Sequence, residues 1–362
     1  KALFAALFLT APSALRAQPQ LSGNALQPSN ILNPNISVVG WLQGETGRRN
    51  PEGEEAVSPF AVKEVEIAFQ SVVDPYTKAD VFVAVEDGGI DLEEGYLTWY
   101  SLPGGLALKA GKFKGAFGKF NLTHTPETPF ADRPLAHEAY LGEEGLASAG
   151  GGLSWHVPNP WLLLNLDAQA FAMPEAAETP AFDTAERDLL YIGRLGGYYD
   201  LTEAANLSFG GSLAAGAAGR EFDPVTASSS TLSSRLYGVD LTYRWKNPRR
   251  AIYRSLFWQT EFLWNRREIA SGSYENTKGY FSHLEYQFAR RWRAGGRYDW
   301  TQAPGGGTAH ESGGLVYLTF MPSEFSLLSL QGRRVDRSDG TRENLGFLKL
   351  TFNIGPHGVH PF

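Results

Sequence analysis

The fold is decided by stretches such as residues 240–246, DLTYRWK, in which polar and apolar side chains alternate one by one. Leu241, Tyr243 and Trp245 fall on one side of an extended chain, and the polar residues fall on the other. The same alternation returns at residues 64–70, EVEIAFQ. A period of two places successive side chains on opposite faces of a β-strand. The pattern therefore predicts strands that each have one apolar face and one polar face.

The composition suits strands that cross a membrane. The 362 residues include 9 Trp, 15 Tyr and 22 Phe, yet the mean hydropathy is slightly polar, at −0.25. In a membrane β-barrel only alternate residues face lipid, while aromatic girdles mark the two interfaces. A large soluble β-protein stays open on composition alone. The net charge of −7 argues against a nucleic-acid partner.

About sixteen such strands follow one another, each near the ~10 residues that a tilted membrane-spanning strand needs. Connections after even-numbered strands are short, as at residues 74–76 and 103–105. Connections after odd-numbered strands are mostly long, and the long ones are residues 44–63, 114–146, 174–189, 215–230 and 267–277. We therefore predict an all-β fold: a closed antiparallel transmembrane β-barrel of about 16 strands, with short periplasmic turns and longer outer loops.

The domain organisation predicted from the chain begins with an export signal. Residues 1–17 combine Lys1, an apolar run and small residues before Ala17, as in a secretory signal peptide. No initiator methionine precedes Lys1, so we expect this signal to be clipped. A polar lead-in follows at residues 18–35. Residues 36–362 are predicted to form a single transmembrane β-barrel, in which residues 114–146 are an inward loop.

One region has the sequence KAGKFKGAFG at residues 109–118 and PFADRPL at residues 129–135. It resembles the phosphate-selective porin O/P-like family, whose members show a similar strand and then a loop with an aromatic residue, an acidic residue and arginine. The resemblance implies a sixteen-stranded channel whose third long loop folds into the lumen. We do not extend the phosphate selectivity of that family to this chain, because the same loop is rich in carboxylates. These are Glu127, Asp132, Glu138, Glu143 and Glu144.

Charged residues on the polar strand faces and in the long loop are the candidates for pore lining and constriction. They are Lys109, Lys112, Lys114, Lys119, Arg133, Asp132, Glu127, Glu66, Glu86, Arg244, Arg293 and Arg297. Acidic residues come mostly from early strands and basic residues mostly from later ones. Because position along the chain maps to angle around a barrel, opposed walls would create a transverse field that tunes ion selectivity. Solvation of a water-filled interior by mixed charges accounts for the same pattern equally well.

These features predict a bacterial outer-membrane porin, a passive diffusion channel for small polar or charged solutes that is narrowed by residues 114–146. The alternative is a structural or receptor-type outer-membrane barrel with an occluded lumen. We predict no enzyme activity, because no nucleophile motif stands out. We also predict no cofactor and no metal site, since His357 and His360 lack a third ligand nearby.

The expected partners follow from this interpretation. They are outer-membrane lipid, small hydrophilic solutes or ions, and the barrel assembly machinery of a Gram-negative cell. The terminal Phe362 is the type of residue that this machinery recognises. Monomer and homotrimer both remain open.

Overall fold

The computed structural model describes residues 34–48, 60–172, 179–183, 188–223, 228–248 and 253–355. The predicted signal at residues 1–17, residues 18–33 of the predicted lead-in and the terminal Phe362 lie outside these described residues. No helix in the described ranges is long and apolar enough to cross a membrane.

Sixteen strands make up most of the described chain. The first eight are β1 (Asn35–Arg48), β2 (Phe60–Asp74), β3 (Thr77–Glu86), β4 (Gly89–Leu102), β5 (Leu106–Lys114), β6 (Ala147–Val157), β7 (Leu163–Ala172) and β8 (Leu189–Thr202). The others are β9 (Ala205–Asp223), β10 (Ser228–Lys246), β11 (Ser255–Ala270), β12 (Ser273–Ala289), β13 (Trp292–Thr301), β14 (Glu311–Ser323), β15 (Ser326–Arg337) and β16 (Arg342–Ile354). One short helix, α1 (Leu135–Leu141), lies between β5 and β6.

Each strand pairs antiparallel with its neighbours in chain order, and the sheet closes on itself. The closing pair is β1 with β16, in which Val38 lies opposite Ile354 and Arg48 lies opposite Asn344. A closed sheet has no free edge, so its backbone groups find partners without water. The predicted all-β fold, a closed antiparallel barrel of sixteen strands, is confirmed.

The two faces of the barrel are the reverse of those of a soluble protein. On β15, Leu330 is exposed while the adjacent Gln331 is buried. On β16, Leu348 is exposed while Lys349 is completely buried. Apolar side chains therefore point outward and polar side chains point inward, as the period of two predicted and as a lipid-facing barrel requires.

Some strands extend further than the alternation indicated. Residues 215–230 and 267–277 were predicted as long connections, but β9 runs to Asp223 and β12 begins at Ser273. The pairing of Arg267 with Glu275 belongs to one such extension. The extension of β9 begins with alanine and glycine, and the extension of β12 is mostly polar, so neither shows a clear period of two. Backbone pairing continues regardless, because it needs no apolar face.

The buried apolar core lies inside the barrel, between its wall and residues 114–146. We call these residues the 114–146 segment. Its Phe117 and Tyr140 belong to one cluster with Leu236 of β10 and Leu263 of β11. A second cluster joins Phe120 and Phe130 to Phe281, Leu315 and Tyr317 of the wall. The segment thus packs against the inner face of the barrel through aromatic side chains.

Candidate functional site

Arg297 on β13 is the most heavily bonded attachment of the 114–146 segment. Its Nη2 lies 3.1 Å from both carboxylate oxygens of Asp132, and its Nη1 donates to the backbone carbonyl of Asp132 at 3.1 Å. Its Nε donates to Asp299 on the same strand at 2.7 Å. The guanidinium is completely buried. Arginine suits such a position because its planar fork binds carboxylates with fixed geometry.

Two polar residues of neighbouring strands hold the middle of the segment. Lys349 on β16 donates from Nζ to the backbone carbonyls of Thr128 and Phe130, each at 2.8 Å. Gln331 on β15 accepts from the backbone N–H of Ala131 and donates to the carbonyl of Pro129, each at 2.9 Å. These contacts satisfy backbone groups that would otherwise be buried without partners.

Glu261 on β11, two strands from β13 in the ring, also holds the segment. It accepts from the backbone N–H groups of Lys119 and Phe120 at 3.0 and 2.7 Å. His137 of α1 contacts its other carboxylate oxygen through Nε2 at 2.9 Å. Close by, Phe117 lies against Gly238 of β10, where a Cβ atom would fall 2.9 Å from its ring. Further round the ring, the backbone N–H of Ala116 donates to Gln169 of β7 at 2.7 Å. The segment is therefore attached to β7 and to β16, which lie on opposite sides of the barrel.

A histidine surrounded by glutamates forms an acidic cluster at one end of the segment. His124 Nδ1 lies 2.5 Å from Glu93 Oε2 and 2.8 Å from Glu66 Oε2. Its Nε2 lies 2.7 Å from Glu94 Oε1. Burial and Lys114 act to lower the pKa of His124, but the three carboxylates outweigh them and raise that pKa well above its usual value. The carboxylates therefore favour the protonated, positively charged form of the imidazole.

Basic side chains lie along another part of the interior. Arg194 on β8 pairs with Asp240 on β10 at 2.6 Å, and Arg244 stacks on the Phe257 ring at 5.2 Å. Lys119 of the segment is half-buried. Burial, with the positive charge of Arg244, lowers the pKa of Lys119 to about 8.

At the short-turn end the barrel opens into a cavity of about 740 Å³. Basic residues dominate the charges around it, and they are Lys246, Arg290, Arg291 and Arg293, with Glu324 as the carboxylate among the lining residues. Arg293 also lies 3.4 Å from Glu285. This end of the interior therefore presents a positive potential.

The structure brings several of the predicted site residues together. Asp132 forms an ion pair with Arg297. Lys119 lies close enough to Arg244 for the positive charge of the arginine to lower the pKa of the lysine. Glu66 contacts His124, beside Lys114 and Arg133. These groupings cross the barrel and join residues that are far apart in the chain.

Other predicted site residues lie elsewhere. Lys109 stacks on the Tyr96 ring at 4.0 Å. Lys112 lies on the opposite face of β5 from Lys109, 3.5 Å from Asp91. Glu86 is exposed at the end of β3, and Glu127 is half-buried in the segment.

The sequence analysis did not select Glu261, Asp299 or Lys349, which hold or flank the segment. Each is a polar residue on the inner face of a strand, so the alternation places it inside the barrel. Nothing in the local sequence separates such a residue from one that only meets water. Glu261 and Lys349 hold the segment through hydrogen bonds to residues more than a hundred positions away in the chain.

Comparison with solved structures finds outer-membrane proteins, porins among them, that have a similar fold. The outer membrane channel DcaP of Acinetobacter baumannii superposes with a TM-score of 0.56 at 11% identity, over 89% of this chain and 98% of that one. The anion-selective porin from Comamonas acidovorans gives the same four values. The trimer form of OmpT, an outer membrane protein of Vibrio cholerae, gives 0.54 at 9% identity, over 89% and 100%. Similarity at this level concerns the fold alone.

Sequence comparison gives one relative and no family. An uncharacterized protein of Aquifex aeolicus (strain VF5) is 29% identical over 366 residues, which cover 90% of this chain and 75% of the relative. No protein-family model matches the chain.

Proposed function

We propose that this protein is an outer-membrane porin, a passive diffusion channel for small polar or charged solutes that the 114–146 segment narrows. The observation that carries the proposal is a closed sixteen-stranded barrel with apolar residues outside and charged residues inside. Such a barrel is wide enough to hold an aqueous path. The similarity in fold to a channel and an anion-selective porin supports the same function.

The narrowing is supported by the attachments of the segment to opposite walls. Arg297 and Lys349 bind it from β13 and β16, and Gln169 binds it from β7 across the ring. A segment fixed in this way reduces the cross-section available to solutes. Lys119 of the segment is half-buried, so in this proposal its charge faces the remaining path.

We further propose that the channel prefers anions. Glu64, Glu66, Glu93 and Glu94 are each less than 10% exposed, so they present little charge to an anion in the proposed path. In contrast, Lys119, Arg244 and Arg293 are only half-buried. The basic cavity at the short-turn end adds to the same effect. Accessible charge, more than total charge, sets the selectivity of a pore.

The second candidate is a barrel with an occluded lumen. It is favoured by the extent of the segment's packing, since Phe117, Phe130 and Tyr140 are almost completely buried against strands from several sides. A structural or receptor-type barrel would show this packing without conduction.

Planar-bilayer recording of the purified protein separates the two candidates. A channel gives steady steps of current, and under a KCl gradient its reversal potential has the sign of an anion-selective pore. Repeated reconstitution without current would overturn the channel proposal and support an occluded lumen. The substitution Lys119→Glu, which leaves the segment in place, should move the reversal potential toward cations.

The narrowing has its own test. Lys114 pairs with Ala147, so a short Gly-Ser linker can replace residues 117–144 without separating β5 from β6. We expect larger current steps from this variant than from the wild type. The matched control removes residues 304–309 from the outer connection between β13 and β14 and should leave the steps unchanged. Heat-modifiable migration in gels checks that both variants are folded, and equal steps from a folded 117–144 variant would refute the narrowing.

The proposal extends to the porin family, the export signal, the cellular location and the oligomeric state of the protein. Membership of the phosphate-selective porin O/P-like family is supported by residues 109–118 and 129–135, which form β5 and part of the 114–146 segment. The signal at residues 1–17 and the location in a bacterial outer membrane are part of the same proposal. Assembly as a homotrimer is testable by native mass spectrometry in detergent.

A further inference from the structure

The acidic cluster around His124 has the composition of a metal site. We propose that Glu66, Glu93 and His124 bind one divalent transition-metal ion, for which Zn²⁺ fits best. Glu66 comes from β2, Glu93 from β4 and His124 from the 114–146 segment, so the ion would tie the segment to the wall. This site is separate from the proposed permeation path along Lys119 and Arg244.

The donor set and its spacing agree with zinc. One imidazole nitrogen and two carboxylate oxygens are ordinary zinc ligands, at about 2.0–2.2 Å from the ion. Tetrahedral ligands at that distance lie roughly 3.3 Å from one another. The potential ligand atoms of the three residues lie within 4.8 Å of one another. The two contacts of His124 Nδ1, at 2.5 and 2.8 Å, would each lengthen by less than about 1 Å to admit the ion.

Two buried carboxylate oxygens in this cluster have no hydrogen-bond donor. His124 Nδ1 carries at most one proton, and Glu93 accepts it. Glu66 Oε2 is then left without a donor, although Glu66 is only 2% exposed. Glu64 Oε1 also has no hydrogen-bond donor, and Glu64 is likewise only 2% exposed. Buried polar atoms without a partner are costly, and a cation at this point satisfies them.

Glu94 orients the imidazole as a zinc ligand needs. It accepts from His124 Nε2 at 2.7 Å, and its second oxygen accepts from the backbone N–H of Lys114 at 2.8 Å. On binding, the ion displaces the Nδ1 proton of His124, and the neutral imidazole, with its remaining proton on Nε2, presents the Nδ1 lone pair to the ion. A carboxylate behind a ligating histidine is the usual outer support of a zinc site.

The surrounding charge also favours a cation. Glu64 and Glu144 form a second group of possible ligands that shares Glu93. Three basic side chains, those of Lys114, Arg133 and His124, lie in or beside the cluster. They are outnumbered by five carboxylates, which belong to Glu64, Glu66, Glu93, Glu94 and Glu144. Glu144 is exposed, so the cluster reaches solvent and an ion has a path to it.

Zinc titration of the chelator-treated, folded protein in detergent tests the site. Isothermal titration calorimetry should show about one Zn²⁺ bound per chain. Co²⁺, used as a spectroscopic substitute, should give the visible absorption of a tetrahedral ion with nitrogen and oxygen ligands. Wild-type protein that binds neither ion would overturn the proposal.

Variants locate the ion. Glu93→Gln removes a ligand and should weaken Zn²⁺ binding by more than about 100-fold, whereas Glu94→Gln removes only the outer support and should weaken it by about 10–100-fold. The matched control is His137→Gln, since His137 is another buried histidine of the same segment with a single carboxylate partner, Glu261. It should bind Zn²⁺ as the wild type does.

Folding is checked for each variant by heat-modifiable migration, so that lost binding is not mistaken for unfolding. Unchanged Zn²⁺ affinity in folded Glu93→Gln would refute the site. The cluster would then be a set of ion pairs held by protonated His124.

Discussion

Arg297 and Asp132 form a buried ion pair across 165 positions of the chain, with Nη2 of the arginine 3.1 Å from both carboxylate oxygens. The pair joins the wall of the barrel to the segment inside it. Because the arginine also binds Asp299, its removal leaves Asp299 buried without its cation, while Asp132 keeps a contact with Arg333 at 3.0 Å. Arg297 therefore stabilises both the wall and the segment.

The substitution Arg297→Ala should destabilise the barrel by about 3–5 kcal/mol, since removal of one partner leaves uncompensated buried charge. We also expect noisier current, because the segment loses its firmest attachment. Urea unfolding in detergent and single-channel recording measure the two effects. The control is Arg334→Ala, which breaks an exposed pair with Asp336 on β15 and should leave both quantities unchanged. Quiet, wild-type current from Arg297→Ala would contradict the anchoring role.

Conduction of anions should fall as the pH rises through about 8. Burial, with the charge of Arg244, lowers the pKa of Lys119 to about 8. Lys119 is therefore charged at pH 6.5 and largely neutral at pH 9.5, and only the charged form attracts anions. Reversal potentials in a KCl gradient at a series of pH values measure the change.

The matched variants are Lys119→Arg, which stays charged over this range, and Lys119→Gln, which is never charged. With Lys119→Arg, the reversal potential should stay at the wild-type value of pH 6.5 throughout the series. With Lys119→Gln, it should stay at the wild-type value of pH 9.5. Identical profiles for the wild type and Lys119→Arg would exclude Lys119 as the titrating group.

The close approach of Phe117 to Gly238 predicts a steric test of the packing. A Cβ atom at Gly238 would lie 2.9 Å from the Phe117 ring, so Gly238→Leu should overpack the interior and cost about 1–3 kcal/mol. The control is Gly211→Leu, where no atom lies within 4 Å of the added Cβ. Combining Gly238→Leu with Phe117→Ala should recover part of the loss, and the free energy of unfolding measures each step. A Gly238→Leu protein as stable as the Gly211→Leu protein would contradict this contact.

The strands and their faces could be predicted from the sequence because they depend on a local rule. Alternation alone places Lys349 and Gln331 inside and Leu348 and Leu330 outside, and the structure agrees. The same rule separates Lys109 from Lys112, since residues three apart on a strand face opposite ways. Including both as pore-lining candidates went beyond what the alternation supports.

The partners inside the barrel could not be predicted, because they join distant parts of the chain. Lys349 and Thr128 are 221 positions apart, and Glu66, Glu93 and His124 come from three separate elements. No spacing motif exists for such a cluster, and the sequence analysis, which weighed only His357 and His360 as possible ligands, predicted no metal site. Glu93 also depends on a register shift between Phe82 and Val83, which brings it and Glu94 both into the cluster. A bulge of this kind leaves little trace in a single sequence.

The lipid-facing surface gives a last prediction that depends on depth. Val316 lies in the middle of β14 and is 67% exposed on the outer face. Arginine at the midplane of a bilayer costs a barrel about 2–4 kcal/mol, and near the interface about 0–1 kcal/mol. Val316→Arg should therefore destabilise the barrel in lipid vesicles far more than Phe222→Arg, which changes a 63% exposed residue near the end of β9.

Urea unfolding in vesicles and in detergent separates lipid burial from simple loss of packing. The difference between the two variants should be large in vesicles and small in detergent micelles, where water approaches the whole outer face more easily. Equal losses at the two positions in vesicles would mean that Val316 does not lie at membrane depth, and the outward apolar face would then need another partner than lipid.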